Sequence, residues 1–465
     1  MLNHMGPDHR RGRRGLAAFA VAGVLGLAAW LAVDTAGRRE PAHAMAPQRG
    51  GGGAAADAPA AFSQEVARAI AQGRRQEAEA MARGRGADDP DAAAALARLV
   101  SDRGDYDQAE TLLRAASRHA RGGQAALELG LLLQFRGRPD EARAVLEPLA
   151  SGPEGSDATA ALRAGVASRA LGLAHEANEW LLDAARLAPG DPAVHVARGE
   201  LFLERHDRDE AASLFRQALE RDARWAPAHL GLARALADEN TPAAEAAARR
   251  AEEIDPGMAD APLFRAEAAL RADRLDDGRA ALDRALEINP RNPAAHASAA
   301  ALAHLEGRAA DAGASVEAAL AVNPTYGDAF RVPAEQLASS GRFEDAVPLA
   351  RRAAALEPWN TRALADLGMH LLRVGEEAEA RPVLERAFKA DPFDLVTFNL
   401  LQMLDTLDQF VTVPAGVGRI RLDPAEAPVL QPYAVRIVEE ALARYGQKYG
   451  LQPRGPVLVE IFPKH

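Results

Sequence analysis

The residue groupings with the clearest chemical potential are histidines beside carboxylates. His175-Glu176 opens the run HEANE. A zinc peptidase of the HExxH kind needs a second histidine four residues on, so that both ligands share one helix face with the glutamate as base. That place is held by Glu179, so the ligand pair is missing. His195, His229 and His296 recur in the phrases PAVH, PAH and PAAH. They share one register of the repeat described below, in layers about 10 Å apart, whereas ligands of one ion lie about 2 Å from it. They are expected to pack between repeats. The chain has no cysteine, which excludes thiolate zinc sites, disulfides and cysteine nucleophiles. No complete catalytic constellation is present. No catalytic, cofactor-binding or metal residue is assigned, no cofactor is expected, and the chain as given reads as a non-enzyme.

Charge narrows the partners. The formal net charge is −11, and residues 1–40 contribute six arginines against three acids. The body is therefore acidic and carries no basic stripe, which argues against nucleic acid. Only three lysines (Lys389, Lys448, Lys464) occur, a coding bias more than a functional signal. Gly15 to Val33 is a run of 19 residues without a charge. As a helix it spans about 28 Å, close to the ~30 Å hydrocarbon core. Arg10, Arg11, Arg13 and Arg14 precede it, so the basic segment 1–14 is expected in the cytoplasm and the body on the exported, periplasmic side. A cleaved signal peptide is the competing reading, with Ala42-His43-Ala44 as its small-x-small site. Residues 34–61, with Gly50 to Gly53 in a row, read as a flexible linker.

The positioning elements show in the periodicity. Pro256, Pro290, Pro324, Pro358 and Pro392 are spaced by 34 residues, and Pro189 lies 67 before the first. A fixed period in this range marks a repeat architecture. Nine units start near residues 90, 123, 158, 192, 226, 259, 293, 327 and 361. Position 8 is always Gly or Ala, from Ala97 and Gly130 to Gly368. Position 20 is also small, from Ala109 to Ala380, and position 27 is alanine except at Leu149. Two antiparallel helices per unit explain the pattern, with positions 8 and 20 facing each other at closest approach. Turn residues Gly104, Gly137, Gly172, His206, Asn240, Asp273, Gly307, Gly341 and Gly375 separate the helices, and the proline ends the second. Larger residues at position 24, such as Leu146, Leu181 and Phe215, fill the remaining space.

Over residues 90–394 this pattern resembles the tetratricopeptide repeat family, with a partial unit at 62–89. The aromatic usual at position 4 is mostly absent, Phe330 being an exception. The resemblance implies an all-α solenoid, a right-handed superhelix of helix pairs whose first helices line a concave groove. Groove contacts in the family come from positions 2, 5, 9, 12 and 13. Here these include Glu200, Glu204, Arg234, Glu267, Arg271, Arg331, Glu335, Arg362 and Arg373. An arginine in such a place can hold a carboxylate bidentately. No Asn-rich or Lys-rich groove code stands out, so a carboxylate clamp of the kind known in the family is not supported. The implied partner is a protein or peptide, with the bilayer a second partner through Gly15–Val33. The resulting expectation is a membrane-tethered scaffold or adaptor. Self-association through the solenoid surface is a further possibility that no residue favours.

After Asp394 the texture changes. Residues 395–414 read as a capping helix and connector, and 415–465 as an incomplete α+β segment. Phe410–Val413, Arg419–Leu422 and Pro456–Pro463 read as strands. Asp423-Pro-Ala-Glu426 reads as a capping box opening a helix that reaches Tyr449, with Val435, Val438, Leu442, Tyr445 and Tyr449 on one face. The segment RLDPAEAPVLQPYAVRIVEEALARYGQKYG with GPVLVEIFP resembles the start of the catalytic domain in repeat-linked HExxH zinc metallopeptidases. That resemblance implies the anchor and substrate-presenting arm of a longer, truncated peptidase. It carries over no ligand or base, because HExxH is absent from this chain.

Overall fold

The computed structural model describes residues 57–86, 88–120, 122–152, 157–450 and 457–463. The segments 1–14 and 15–33, and residues 34–56 of the expected linker, lie outside them. Among the described residues, no helix is long and apolar enough to cross a membrane.

Helices come in pairs. α1 (Asp57–Ala71) packs on α2 (Arg75–Arg85), α3 (Pro90–Asp102) on α4 (Tyr106–Ser117), α5 (Gln124–Phe135) on α6 (Pro139–Ala150), α7 (Ala158–Ala170) on α8 (Ala174–Leu187), and α9 (Pro192–Glu204) on α10 (Arg208–Arg221). α11 (Ala226–Leu236) packs on α12 (Thr241–Ile254), α13 (Asp260–Arg271) on α14 (Leu275–Ile288), α15 (Pro293–Leu305) on α16 (Ala309–Val322), α17 (Asp328–Ser339) on α18 (Phe343–Leu356), and α19 (Thr361–Arg373) on α20 (Glu377–Ala390). The nine expected units are nine helix pairs from Pro90 to Ala390. Two boundaries need correction. α1 begins at Asp57, inside the stretch expected as linker, and with α2 it makes a whole pair where a partial unit was expected.

Local signals set the helix ends. Asp89, Asp157, Asp191, Asn292 and Asn360 cap first helices by accepting backbone N–H groups. The turn residue takes a left-handed conformation not only at the glycines but also at His206 (φ 63°) and Asp273 (φ 57°). Asn240 departs from this register. Its unit is a residue short at the turn, and it serves as the N-cap of α12, accepting from the Ala243 N–H.

The packing adds to one sequence expectation. Position 8 lies beneath position 24 as well as beside position 20. A Cβ on Gly130 would press into Leu146, on Gly165 into Leu181, on Gly199 into Phe215 and on Gly368 into Leu384. The large side chain of the second helix lies over the small residue of the first, and Phe215 and Leu384 are fully buried for that reason. At position 20, a Cβ on Gly278 would meet Leu270 and lie 3.6 Å from the carbonyl of Ala266, the position-8 residue of its own unit.

Curvature follows from which helices meet. First helices of successive pairs touch: α3 with α5, α5 with α7, α7 with α9, and on through α17 with α19. Second helices share no comparable contact. The first helices therefore form the inner wall. The wall is tightest at α15, whose sequence PAAHASAAALAHL is so alanine-rich that α13 and α17 also touch across it.

α21 (Leu395–Leu407) follows the last pair. β1 (Val411–Ala415) and β2 (Gly418–Leu422) form an antiparallel hairpin, α22 (Ala427–Tyr449) crosses over, and β3 (Val457–Ile461) pairs parallel to β2. Val413, Ala415, Ile420 and Leu422 alternate onto the face that α22 covers through Ala427, Leu430, Ala434, Val435 and Val438. From the other face, Arg421 reaches Glu377 of α20 at 2.6 Å and Glu460 at 3.1 Å. The fold class is thus an all-helical solenoid followed by this small α+β unit. One detail differs from expectation. Asp423 closes a local turn onto the Ala425 N–H, and the helix starts at Ala427 without a side-chain cap, so the capping box is not formed. Tyr445 and Tyr449, further along the row of Val435, Val438 and Leu442, are exposed.

Candidate protein-binding surface

The recurring histidines have a local task. His195 Nε2 lies 3.2 Å from the Pro189 carbonyl, His229 Nε2 3.0 Å from that of Ala223, and His296 Nε2 2.9 Å from that of Pro290. Each ties its helix to the loop six residues before it. His175 is exposed and pairs with Glu179 at 3.4 Å. Among the described residues, no group of three or more His, Asp or Glu could hold a metal ion.

The inner wall is where polar side chains of different repeats meet. The nine groove residues expected there fall into three sets. Glu200 and Glu204 of α9 both pair with Arg169 of α7, at 2.8 and 2.9 Å. Burial pushes the Glu204 carboxyl up, against the pull of Arg169.

A second set centres on Arg331, which is 6% exposed. It reaches Asp328 at 2.5 Å, Glu335 at 3.0 Å and Asp366 of α19 at 3.3 Å. Arg362 approaches Glu335 at 3.8 Å. Burial works against the Arg331 charge, but the surrounding carboxylates outweigh it and raise its pKa. Burial likewise raises the Asp366 carboxyl despite Arg331 and Arg362. Arg331 is therefore saturated from within and is not free to clamp a ligand. His370, in the same wall, is 3% exposed with neither ring nitrogen hydrogen-bonded, and burial with Arg373 nearby pushes it down to about 4.

The third set is open. Arg234 of α11 and Arg271 of α13 are exposed and have no carboxylate within ion-pair distance among the described residues. Glu267 lies between them in the electrostatic sense. Burial raises its pKa, while Arg271, Arg234 and Arg331 lower it. Its one side-chain bond is from Ser298 Oγ at 3.5 Å. Arg271 also lines a small cleft with Ala237, Thr241, Phe264 and Ala268. Arg373 stands over the Phe343 ring at 5.3 Å.

The sequence reading did not name Arg169 or Asp366. Arg169 sits at position 12, a groove register, and could have been found by the same rule. Asp366 sits at position 6, outside it.

Family models described as Tetratricopeptide repeat match residues 94–147, 127–192, 196–259 and 265–327, and another matches 337–403. Together they span more than half of the chain. The chain belongs to the tetratricopeptide repeat family. No curated protein matches it. Solved structures similar to this tetratricopeptide repeat protein include the APC/C hetero-tetramer Cut9-Hcn1, at 13% identity and TM-score 0.43, covering 74% of this chain and 76% of that one. Yeast Tom70 is similar at 16% identity and TM-score 0.41, covering 76% and 90%. YrrB, titled a TPR protein with an unusual peptide-binding site, is similar at 17% identity and TM-score 0.25, covering 41% and 99%.

Proposed function

We propose that this tetratricopeptide repeat protein is a scaffold that binds a protein or peptide partner on its inner wall. One observation carries the reading. On the stretch formed by α11 and α13, Arg234 and Arg271 stand exposed without internal partners, whereas Glu200 is tied to Arg169 and Glu335 to Arg331. A partner's carboxylates would complete that stretch, and Glu267 would meet a cation. The test is a photo-cross-linking residue placed at position 234 or 271, compared with one on the outer helix α12 at position 250. Capture of the same protein from the inner positions alone supports the reading. Capture only from position 250 overturns it.

We further propose that the scaffold is tethered through Gly15–Val33, with the repeats on the exported side. The support is the uncharged run and its preceding arginines. Resistance of the membrane-bound protein to carbonate extraction, and protease access to the repeats from outside the cytoplasmic membrane, test it.

A second reading makes the chain the anchor and substrate-presenting part of a zinc metallopeptidase. Its support is the β1-β2-α22-β3 unit, whose helix keeps an exposed apolar row at Val429, Tyr433 and Ile437 and whose β3 pairs on one side only among the described residues. Sequencing the gene past codon 465 tests it, an HExxH in frame being the supporting result.

A further inference from the structure

Residues far apart in the chain meet in a regular series. At four helix-pair boundaries an Asp or Asn precedes the repeat proline: Asp255, Asn289, Asn323 and Asp391. Locally its side chain accepts the N–H two residues on, at Gly257, Arg291, Thr325 and Phe393. Each also reaches the turn between the helices of a unit more than five repeats earlier.

Arg75 donates to both carboxylate oxygens of Asp255, at 2.7 and 2.8 Å, and a third nitrogen reaches Asp102 at 2.7 Å. Asn289 Nδ2 donates to the Tyr106 hydroxyl at 3.0 Å, and Arg291 bonds Asp107 at 3.1 Å. Asn323 Nδ2 donates to the Phe135 carbonyl at 3.0 Å. His206 meets Asp391 at 3.1 Å, with Arg205 over the Phe393 ring at 4.6 Å. These partners lie 180 to 188 residues apart. A Cβ on Gly73, Gly104 or Gly137 would collide with Ile254, Asn289 or Asn323 respectively, so the turns touch the opposing caps directly. Asp255, Asn289 and Asn323 are buried as a result.

One rung is missing. The series calls for Gly172 against residue 357, which is Glu357, and there Gly172 has open space beside it. Glu357 instead accepts from Asn360 Nδ2 at 2.6 Å, and Trp359 is exposed.

We infer that the repeats form two superhelical turns latched to each other along this seam, and that the latch must open before the inner wall admits a partner wider than an extended chain. The inference rests on the scaffold reading for its purpose, but not for its geometry. Between five and six pairs complete a turn, and first helices packed about 9 Å apart then leave an opening of about 6 Å, narrower than the 10–12 Å of a helix. The hydrogen bonds and ion pairs of the seam are specific, as a reversible latch requires, and stand beside apolar contacts of Val322 with the early repeats and of Ala71 with those around Phe215.

The full chain has no cysteine, which makes the test direct. The variant R75A/Y106F/R291A removes seam partners and leaves every Asx-Pro turn its local bond. A reporter, R234C, is placed on the inner wall in both backgrounds. N-ethylmaleimide should label it equally in the two. A polymer-linked maleimide wider than a helix should label it about tenfold faster or more in the seam variant, the scale of losing one charge-assisted hydrogen bond. Equal polymer labelling in both overturns the inference. Should the triple variant misfold, D107C/R291C with a short bis-maleimide in the otherwise native chain decides. An intramolecular link supports the seam, and linkage between molecules only, or none, overturns it. Neither readout uses the natural partner, so failure of the latch and failure of the scaffold reading are separate outcomes.

Discussion

Two stretches of the inner wall carry the same kinds of residue, arginines beside a glutamate at position 9 (Glu335 and Glu267), and behave oppositely. Around α17 and α19, Arg331 is enclosed by Asp328, Glu335 and Asp366. Around α11 and α13, Arg234 and Arg271 stand in solvent with Glu267 nearby but not bonded. The difference comes from the neighbours. Arg331 has Asp328 and Glu335 on its own helix and Asp366 across on α19, whereas, among the described residues, Arg234 and Arg271 meet no carboxylate on the helices beside them. Repeat register therefore selects which residues face inward, while the neighbouring side chains decide whether they brace the wall or remain available.

The largest break in that comparison is Arg331→Met. It leaves three carboxylates without their cation in a desolvated place, at a cost of about 3–5 kcal/mol. Urea denaturation of the variant measures it, with local hydrogen exchange on α17 and α19 locating the loss. Addition of Asp366→Asn should recover part of the cost, because it removes one of the stranded charges.

The next effect is in pH. His370 is neutral and buried, with its pKa pushed down to about 4, below the ordinary value of about 6.5 in the unfolded chain. Between those values the unfolded state binds the proton more readily. Stability from this group is complete above about 6.5 and falls as pH drops toward about 4, by up to about 3 kcal/mol. The raised carboxyls of Asp366 and Glu267 act in the opposite sense over their own range, so the measurement is a difference. His370→Leu should flatten the stability profile between those limits relative to the native chain.

A smaller effect is expected at Arg169→Ala. This arginine joins α7 to Glu200 and Glu204 of α9 while itself partly exposed, and its removal should cost about 1 kcal/mol. Smallest of all is Arg234→Ala with Arg271→Ala, at less than about 0.5 kcal/mol of stability. The same double variant should lose the partner captured at position 234. A stability loss comparable to Arg331→Met would end the distinction between bracing and open stretches.

The helix pairs were readable because their constraint is local and repeated. A small residue at position 8 under a large one at position 24, and a left-handed turn before the second helix, leave the same mark in unit after unit. The pairing of position 8 with position 20 was legible because both are always small, whereas the large position-24 side chain that also covers position 8 was read only as filling space. The groove residues were readable as positions but not as pairs: Arg331 resembles Arg234 in sequence, and only the company of Asp328 and Asp366 sets it apart. The row Val435, Val438, Leu442, Tyr445 and Tyr449 on α22 was legible as one face, but how far along it the sheet reaches was not: Val435 and Val438 pack on the strands while Tyr445 and Tyr449 are exposed.

By itself, then, the sequence determined the helix pairs, their number from Pro90 to Ala390 and the turn that separates each pair, all through contacts within one or two repeats. The tertiary structure alone decided which charges neutralise one another and that Asn289 meets Tyr106 across 183 residues. Such contacts depend on the small rotation from each pair to the next, summed over more than five pairs. No single repeat encodes that sum, so a change of a few degrees per unit would open the seam while leaving every local signal in place.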